Sequence, residues 1–494
     1  MTTSSSYLQQ GQEGLQERSK DLFASVMSGQ IRARFITKHS DYRISDVPIS
    51  VPAKLGRRGL SEVINHLLGR EDNEEHIPFD FSIKDTLIRT PLSAFLAAHR
   101  LSAEAVQEIE YMPATTLSDE KDTIDTPAWV GCMTHSPGAH SVVAGCFDGT
   151  IQLIGSTSHA VEQSHQCHAD PVRAVHRWSL PTERESKGSR SRSVVATASK
   201  DQTVKLWGVS EDSSNDQASG GKSKNKRGKA KSTLLVQPLA RCVGHINSVE
   251  AVDLLHSGDT AVLLSGDWAG NIMGWNVQRC ADDDNWTQVS EKEKKRRASD
   301  GAAVKAGSSA DARTILSPIF TFKAHAQSVS ALQVLEGTKT AFTASWDHSL
   351  KEWDIDRQDV VSVFTSGSKI STSVHANPSM GLVATSHTDG KIRLWDTRLG
   401  NASDSSASNC QSIINSTRSG VPQWVSQVQW HPDTATVFAC TDYGGVLRVW
   451  DVRSTKVPLG EKDTHDGKAL CTQWVGGSVF SGGSDCAVHA TDFS

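Results

Sequence analysis

A phrase running from Asp to Trp recurs along the chain, and it restricts the fold more than any other feature. It is clearest at residues 325–354, where His325 opens the stretch, Ala341–Asp347 follows, and Trp353-Asp354 closes it. The spacing predicts short strands joined by tight turns. Ala341, Thr343 and Ser345 fall on one face of a strand, with Phe342 and Ala344 on the other. Asp347 falls in the turn, where its carboxylate can accept backbone and side-chain hydrogen bonds. His325, Ser345, Asp347 and Trp353 have the donor and acceptor types for one buried relay: indole to hydroxyl, hydroxyl to imidazole, imidazole to carboxylate. Such a set reads as structural glue rather than as a catalytic group, because a repeat cannot bury its face alone. Asp201–Trp207 and Asp389–Trp395 keep the spacing, and Asp267–Trp275 and Asp442–Trp450 are two residues longer. Asp148–Ile154 and Asp485–Thr491 lack the Trp, which makes seven copies in all. The opening histidine is found as His168, His245 and His325.

These residues resemble the WD40 repeat. The resemblance implies four-stranded blades, and seven blades of about 40–45 residues each, with insertions, fill the span from 129 to 494. The expected fold class is therefore mainly β, a seven-bladed WD40 propeller preceded by a small α+β domain of ubiquitin-like size.

That small domain is read at residues 30–112. Ile31, Ala33 and Phe35 alternate with Arg32, Arg34 and Ile36 as in a strand, and Ile44–Val51 is a second extended segment broken by Pro48. Leu60, Val63, Ile64, Leu67 and Leu68 form one helical face that Gly69 can terminate. Phe79–Ile83 and Leu87-Ile88 are strand-like, Thr90-Pro91 starts a second helix, and Ala105–Tyr111 can close the sheet. The phrases Gly59–Gly69, Ile77–Phe81 and Leu87–Leu92 resemble the NLE-type ubiquitin-like domain. Followed by a propeller, that domain is similar to the WD-repeat ribosome-biogenesis proteins of the pescadillo–BOP–WD (PeBoW) complex.

The resemblance implies a non-catalytic assembly factor for the large (60S) subunit and rRNA processing, found in the nucleus, nucleolus and nucleoplasm. Its implied partners are BOP-type and pescadillo-type proteins, the pre-60S particle and the midasin AAA ATPase. It also assigns Glu104, with Ser102 beside it, as the carboxylate that reaches a magnesium ion bound by midasin. Mg²⁺ takes hard oxygen ligands and can keep a position open for an outside carboxylate. Glu104 would then be a metal ligand only to the partner's ion, and no cofactor of its own is expected. Ala103 departs from the family, which often has a hydroxyl residue there.

Residues 1–29 read as a polar tail and 113–128 as a connector that can contribute an outer strand to the last blade. Insertions near 181–193, 209–233, 279–313 and 399–420 have the composition of disordered loops. Lys222–Lys231 and Lys292–Arg297 suit nuclear import, and direct RNA contact stays open but is favoured less, because no aromatic residues interleave with these charges for base stacking. Net charge is −5, so any nucleic-acid contact must be local. No apolar run approaches a membrane span, and Met1–Ser6 does not read as a signal peptide. The nine cysteines contain no Cys-x-x-Cys pair, which favours free thiols. His165, Cys167 and His168 could suggest a metal site, but His168 holds a blade-opening position. There is no phosphate loop, nucleophile elbow or His-Glu-x-x-His. The alternative to the assembly-factor reading is a propeller substrate receptor of a cullin-type ubiquitin ligase.

Overall fold

A computed structural model describes residues 29–69, 77–84, 86–114, 117–118, 122–180, 191–211, 235–257, 260–278, 314–399, 410–416 and 422–493. The tail and both basic runs lie outside these residues, as do most of the four insertions. The chain forms two compact units, one of residues up to Thr116 together with Val452–Leu459 and one built from Leu117–Asp451 and Gly460–Phe493.

In the first unit, β1 (Gln30–Ile36), β2 (Ile49–Pro52), β3 (Phe79–Ile83), β4 (Thr86–Leu87) and β5 (Gln107–Pro113) make one sheet in the order β2-β1-β5-β3-β4. β1 and β5 run parallel at its centre, with Ala33 opposite Gln107. The alternation in β1 buries Ile31, Ala33 and Phe35, and Phe35 meets Phe81 and Tyr111 edge to face. The first helix (Arg57–Leu67) buries Leu60 and Ile64, while Leu67 points outward and is 43% exposed. The expected apolar face is thus narrower than predicted, and polar side chains complete it. Ser61 Oγ donates to Phe79 O at 3.1 Å, and Asn65 Nδ2 donates to Ile77 O at 2.7 Å while its Oδ1 accepts from Ile77 N at 3.2 Å. These bonds satisfy backbone groups where the chain enters β3. Gly69 ends the helix at φ +75, the left-handed region a glycine enters without penalty.

The second unit has seven sheets. Six have the strand order of a meander, and the outer edge of the second blade gains Thr314–Leu316 as a fifth, parallel strand. The innermost strands touch in sequence, Val130–Thr134, Val172–Ser179, Val249–Ser257, Val329–Val334, Ser371–Asn377, Val425–Trp430 and Ala469–Val475, and the last touches the first. That closes a ring of seven blades. A register shift recurs at the start of every innermost strand, as between Val329 and Ala331, and such bulges increase twist. The core lies between adjacent blades, with Val249, Val252 and Trp275 packed on Val194, Ala196 and Ala198. β6 (Asp122–Asp125), within the connector, pairs antiparallel with Ala487–Asp492 as the outer strand of the seventh blade. None of the eight described cysteines is in a disulfide. No helix among the described residues is long and apolar enough to cross a membrane.

Candidate functional site

The relay is present, with one correction. Trp353 Nε1 donates to Thr343 Oγ1 at 2.8 Å, and that hydroxyl lies 2.7 Å from His325 Nε2. His325 Nδ1 is 3.0 Å from Asp347 Oδ2. Ser345 is not in the chain of bonds: its Oγ accepts from Asp347 N at 3.1 Å and donates to Gln327 O at 3.4 Å. Strand register is the reason. Trp353 stands opposite Ala341, which puts its indole one diagonal from Thr343, and Ser345 lies about 7 Å further along the strand on the same face. The hydroxyl is therefore ten residues before the Trp.

The same offset works in other blades. Trp207, Thr197, His168 and Asp201 form a full relay, with bonds of 3.0, 2.7 and 2.8 Å, as do Trp275, Ser265, His245 and Asp267 at 2.8, 2.7 and 3.1 Å. In the fifth blade the imidazole comes from within the strand: His387 Nε2 is 2.8 Å from Thr385 Oγ1, which accepts from Trp395 Nε1 at 2.8 Å. Arg393 there pairs with Asp389 at 2.9 Å. In the sixth, Cys440 replaces the hydroxyl, Trp450 Nε1 finds no oxygen, and Asp442 pairs with Arg448. In the seventh, His465 lies 2.9 Å from Asp485 and 3.0 Å from Ser481 Oγ. His465 was not expected; its signal was its distance before Asp485, close to that between His325 and Asp347.

Burial pushes the His168 and His325 imidazoles below their ordinary pKa against the pull of Asp201 and Asp347, and burial with the Arg393 charge pushes His387 down to about 3. For the carboxylates burial acts upward, but hydrogen bonds from His168 and Thr203 prevail and hold Asp201 at about 2; His325 and Ser349 likewise hold Asp347 low. The relay therefore holds neutral imidazole against carboxylate. All of Trp353, Thr343 and His325 are buried, so the set fastens strands and presents nothing to a substrate.

Glu104 and Ser102 sit between the second helix (Leu92–Ala98) and β5. Leu101 and Ala103 pack against the core of their unit, while Ser102 and Glu104 face solvent. Gln107 is buried and its Nε2 donates to Ser102 O at 2.6 Å. Ser102 Oγ accepts from Glu104 N at 3.3 Å, closing a small turn around the residue. The Glu104 carboxylate meets no described hydrogen-bond or ion-pair partner. A charged oxygen donor is thus held outward by a loop whose alternate residues are anchored. Ala103 contributes its methyl group to that anchoring.

A ring of seven WD-type blades with a separate small α+β unit defines the class. Residues 31–96 match the NLE (NUC135) domain family, and 161–208, 316–354, 359–396 and 411–451 match the WD domain, G-beta repeat. The first and seventh copies, which lack the Trp, fall outside the matched stretches, as does the third, Asp267–Trp275, which has it. The chain is 30% identical over 482 residues to the ribosome biogenesis protein WDR12 homolog of Chlamydomonas reinhardtii, covering 93% of this chain and 97% of that protein. The WDR12 homolog of Oryza sativa subsp. japonica is 31% identical, with 94% and 96% covered, and that of Arabidopsis thaliana 29% identical, with 94% and 97% covered. The chain belongs to the WDR12 family of ribosome biogenesis proteins.

Proposed function

We propose that this chain is a non-catalytic assembly factor of the large ribosomal subunit, working in the nucleolus and nucleoplasm. Its propeller docks on a BOP-type partner within a complex that includes a pescadillo-type protein. Glu104 supplies a carboxylate to magnesium held by a midasin-type ATPase, which then pulls the complex from the pre-60S particle. One observation carries the reading: an outward, unpaired carboxylate on a loop anchored by Leu101, Ala103 and Gln107. An anchored loop loses little freedom when its carboxylate is captured, so more of the ion–carboxylate attraction remains as binding. The relatives' name supports the setting in ribosome biogenesis. The propeller supports the docking role as a ring whose blades are fastened by buried hydrogen-bond relays.

The test is a pull-down of midasin's metal-site domain by the full chain. Wild type is expected to recover it in magnesium and to lose it in chelator, and Glu104→Ala to recover little in either. Equal recovery of the two in magnesium overturns the contact. Co-purification of a cullin scaffold in place of pre-60S proteins would favour the ligase-receptor reading.

A further inference from the structure

We propose that His465, Asp485 and His489 form a binding site for a zinc-class divalent cation at the seam where the propeller ring closes. Their ligand atoms all lie within 4.8 Å of one another. His465 Nδ1 is 2.9 Å from Asp485 Oδ1, and His489 Nε2 is 3.8 Å from Asp485 Oδ2. A tetrahedral ion with bonds of about 2.0–2.2 Å holds its ligand atoms about 3.3–3.6 Å apart, so the widest of these separations must close by no more than about 1.5 Å and the shortest must open by about 0.5 Å.

The outer ring atoms are already placed for ligation. A metal-bound imidazole donates its other N–H to an oxygen, which fixes its tautomer. His465 Nε2 has Ser481 Oγ at 3.0 Å, and His489 Nδ1 has Thr123 Oγ1 at 3.1 Å. Both nitrogens facing Asp485 can then carry lone pairs. In the complete relays the Trp indole donates to the hydroxyl, and the hydroxyl's proton goes to the imidazole, so the imidazole keeps its N–H for the carboxylate. Residue 491 is Thr in the seventh blade, where the second to sixth blades have Trp. Among the described residues no indole donates to Ser481, and its hydroxyl is able to accept from His465.

Two more departures belong to this blade. The residue two beyond the hydroxyl is Gly483 here, and Ser199 or Ser345 in the second and fourth blades. A Cβ at 483 would stand 2.3 Å from His465 Nδ1 and 2.6 Å from Asp485 Oδ1, so the missing side chain leaves room beside both ligand atoms. The position of His489 is Lys205 and Lys351 in those same blades, each donating to a backbone carbonyl at 2.7 Å. The seventh blade puts a nitrogen with a lone pair where they put an ammonium group. Two imidazoles and one carboxylate suit zinc or a similar borderline ion better than magnesium or calcium. Thr123 belongs to β6, so the ion would tie the last strand of the ring to the strand that closes it.

The experiment uses the full chain, stripped with chelator and dialysed against Zn²⁺ or Co²⁺. The comparison is His489→Lys, which restores the residue of the second and fourth blades. Wild type is expected to retain roughly one more equivalent of zinc than the variant, to show the visible bands of low-symmetry Co²⁺, and to melt higher with zinc. The variant is expected to melt like wild type in chelator and to gain nothing from zinc. If Lys is not accommodated there, His489→Gln makes the same comparison. Equal zinc retention by wild type and a folded variant, or wild-type Co²⁺ spectra like those of the aqueous ion, overturns the site.

Discussion

Thr343 is 0% exposed and holds both the Trp353 indole and the His325 imidazole. Thr343→Val keeps the shape but strands two buried polar groups, so we predict a loss of about 1–3 kcal/mol in equilibrium denaturation. Ser345→Ala breaks only bonds to Asp347 N and Gln327 O and should cost less. A larger loss for Ser345→Ala would reverse the assignment. The sequence reading reached the right chemistry through the wrong hydroxyl because both residues share a strand face, and alternation alone does not rank them. The recurring ten-residue offset before Trp207, Trp275, Trp353 and Trp395 does rank them. The relays also set a pH dependence. His168, His325 and His387 have folded pKa values below the unfolded one of about 6.5. Between the two values the unfolded chain binds more protons, so their contribution is complete above about pH 6.5 and is lost as pH falls toward the folded values. Asp201, held at about 2, adds a further loss as pH falls below its unfolded value of about 3.9. His176 runs the other way: despite burial, Asp253 raises it, so its contribution is full below about pH 6.5 and lost as pH rises through the raised value. His135, His165, His375 and His431 are likewise lowered by burial, and seven lowered histidines against one raised predict a urea midpoint that falls steadily from pH 7 to pH 4.5. A flat profile would mean that these imidazoles are not buried neutral.

At the scale of elements, the blades were legible because each repeats a strand pattern with a turn Asp, whereas ring closure rests on one short strand. β6 has four residues, of which Ile124 is buried against Val488, Val130 and Phe480. Four residues carry too little periodicity to identify a strand, and only the unpaired outer edge of the last blade calls for one. The narrower face of the first helix was hidden for a similar reason: Ser61 and Asn65 read as polar surface until the backbone of Ile77 and Phe79 lies beside them. Ile124→Ala is predicted to destabilise the propeller by about 2–5 kcal/mol, the range for truncating a buried Ile. Deleting residues 117–125 goes further and bares the edge of Ala487–Asp492, a template for pairing between molecules. Size-exclusion chromatography with light scattering should show oligomers for the deletion and monomer for the intact chain. A deletion variant that stayed monomeric with an unchanged melt would show that the ring does not need β6.

For the whole molecule, the proposed division of labour makes Glu104 a point where charge and reach matter and stability does not. The residue lies beyond the stretch matched to the NLE family, in a loop whose core contacts come from Leu101 and Ala103. The sequence shows a Glu between a helix and a strand, but it cannot show that the carboxylate is unpaired, since that depends on neighbours brought in by the fold. Glu104→Ala removes the ligand oxygen. Glu104→Gln keeps a carbonyl oxygen and loses the charge that a divalent ion favours. Glu104→Asp keeps the charge and shortens the reach by about one CH₂, which an ion with strict octahedral geometry tolerates poorly. All three are predicted to weaken capture by the ATPase, Ala most, while the unfolding free energy stays within the small range typical of surface changes, about ±0.5 kcal/mol. Because Glu104 belongs to one compact unit and the propeller to the other, docking on the BOP-type partner should survive each substitution. The variants should therefore enter pre-60S particles and remain there, blocking large-subunit maturation in the presence of wild type. Quantitative recovery of the tagged variants on pre-60S particles reads this directly: accumulation in the order Ala above Gln and Asp supports the mechanism. Release at the wild-type rate from all three would remove Glu104 from it.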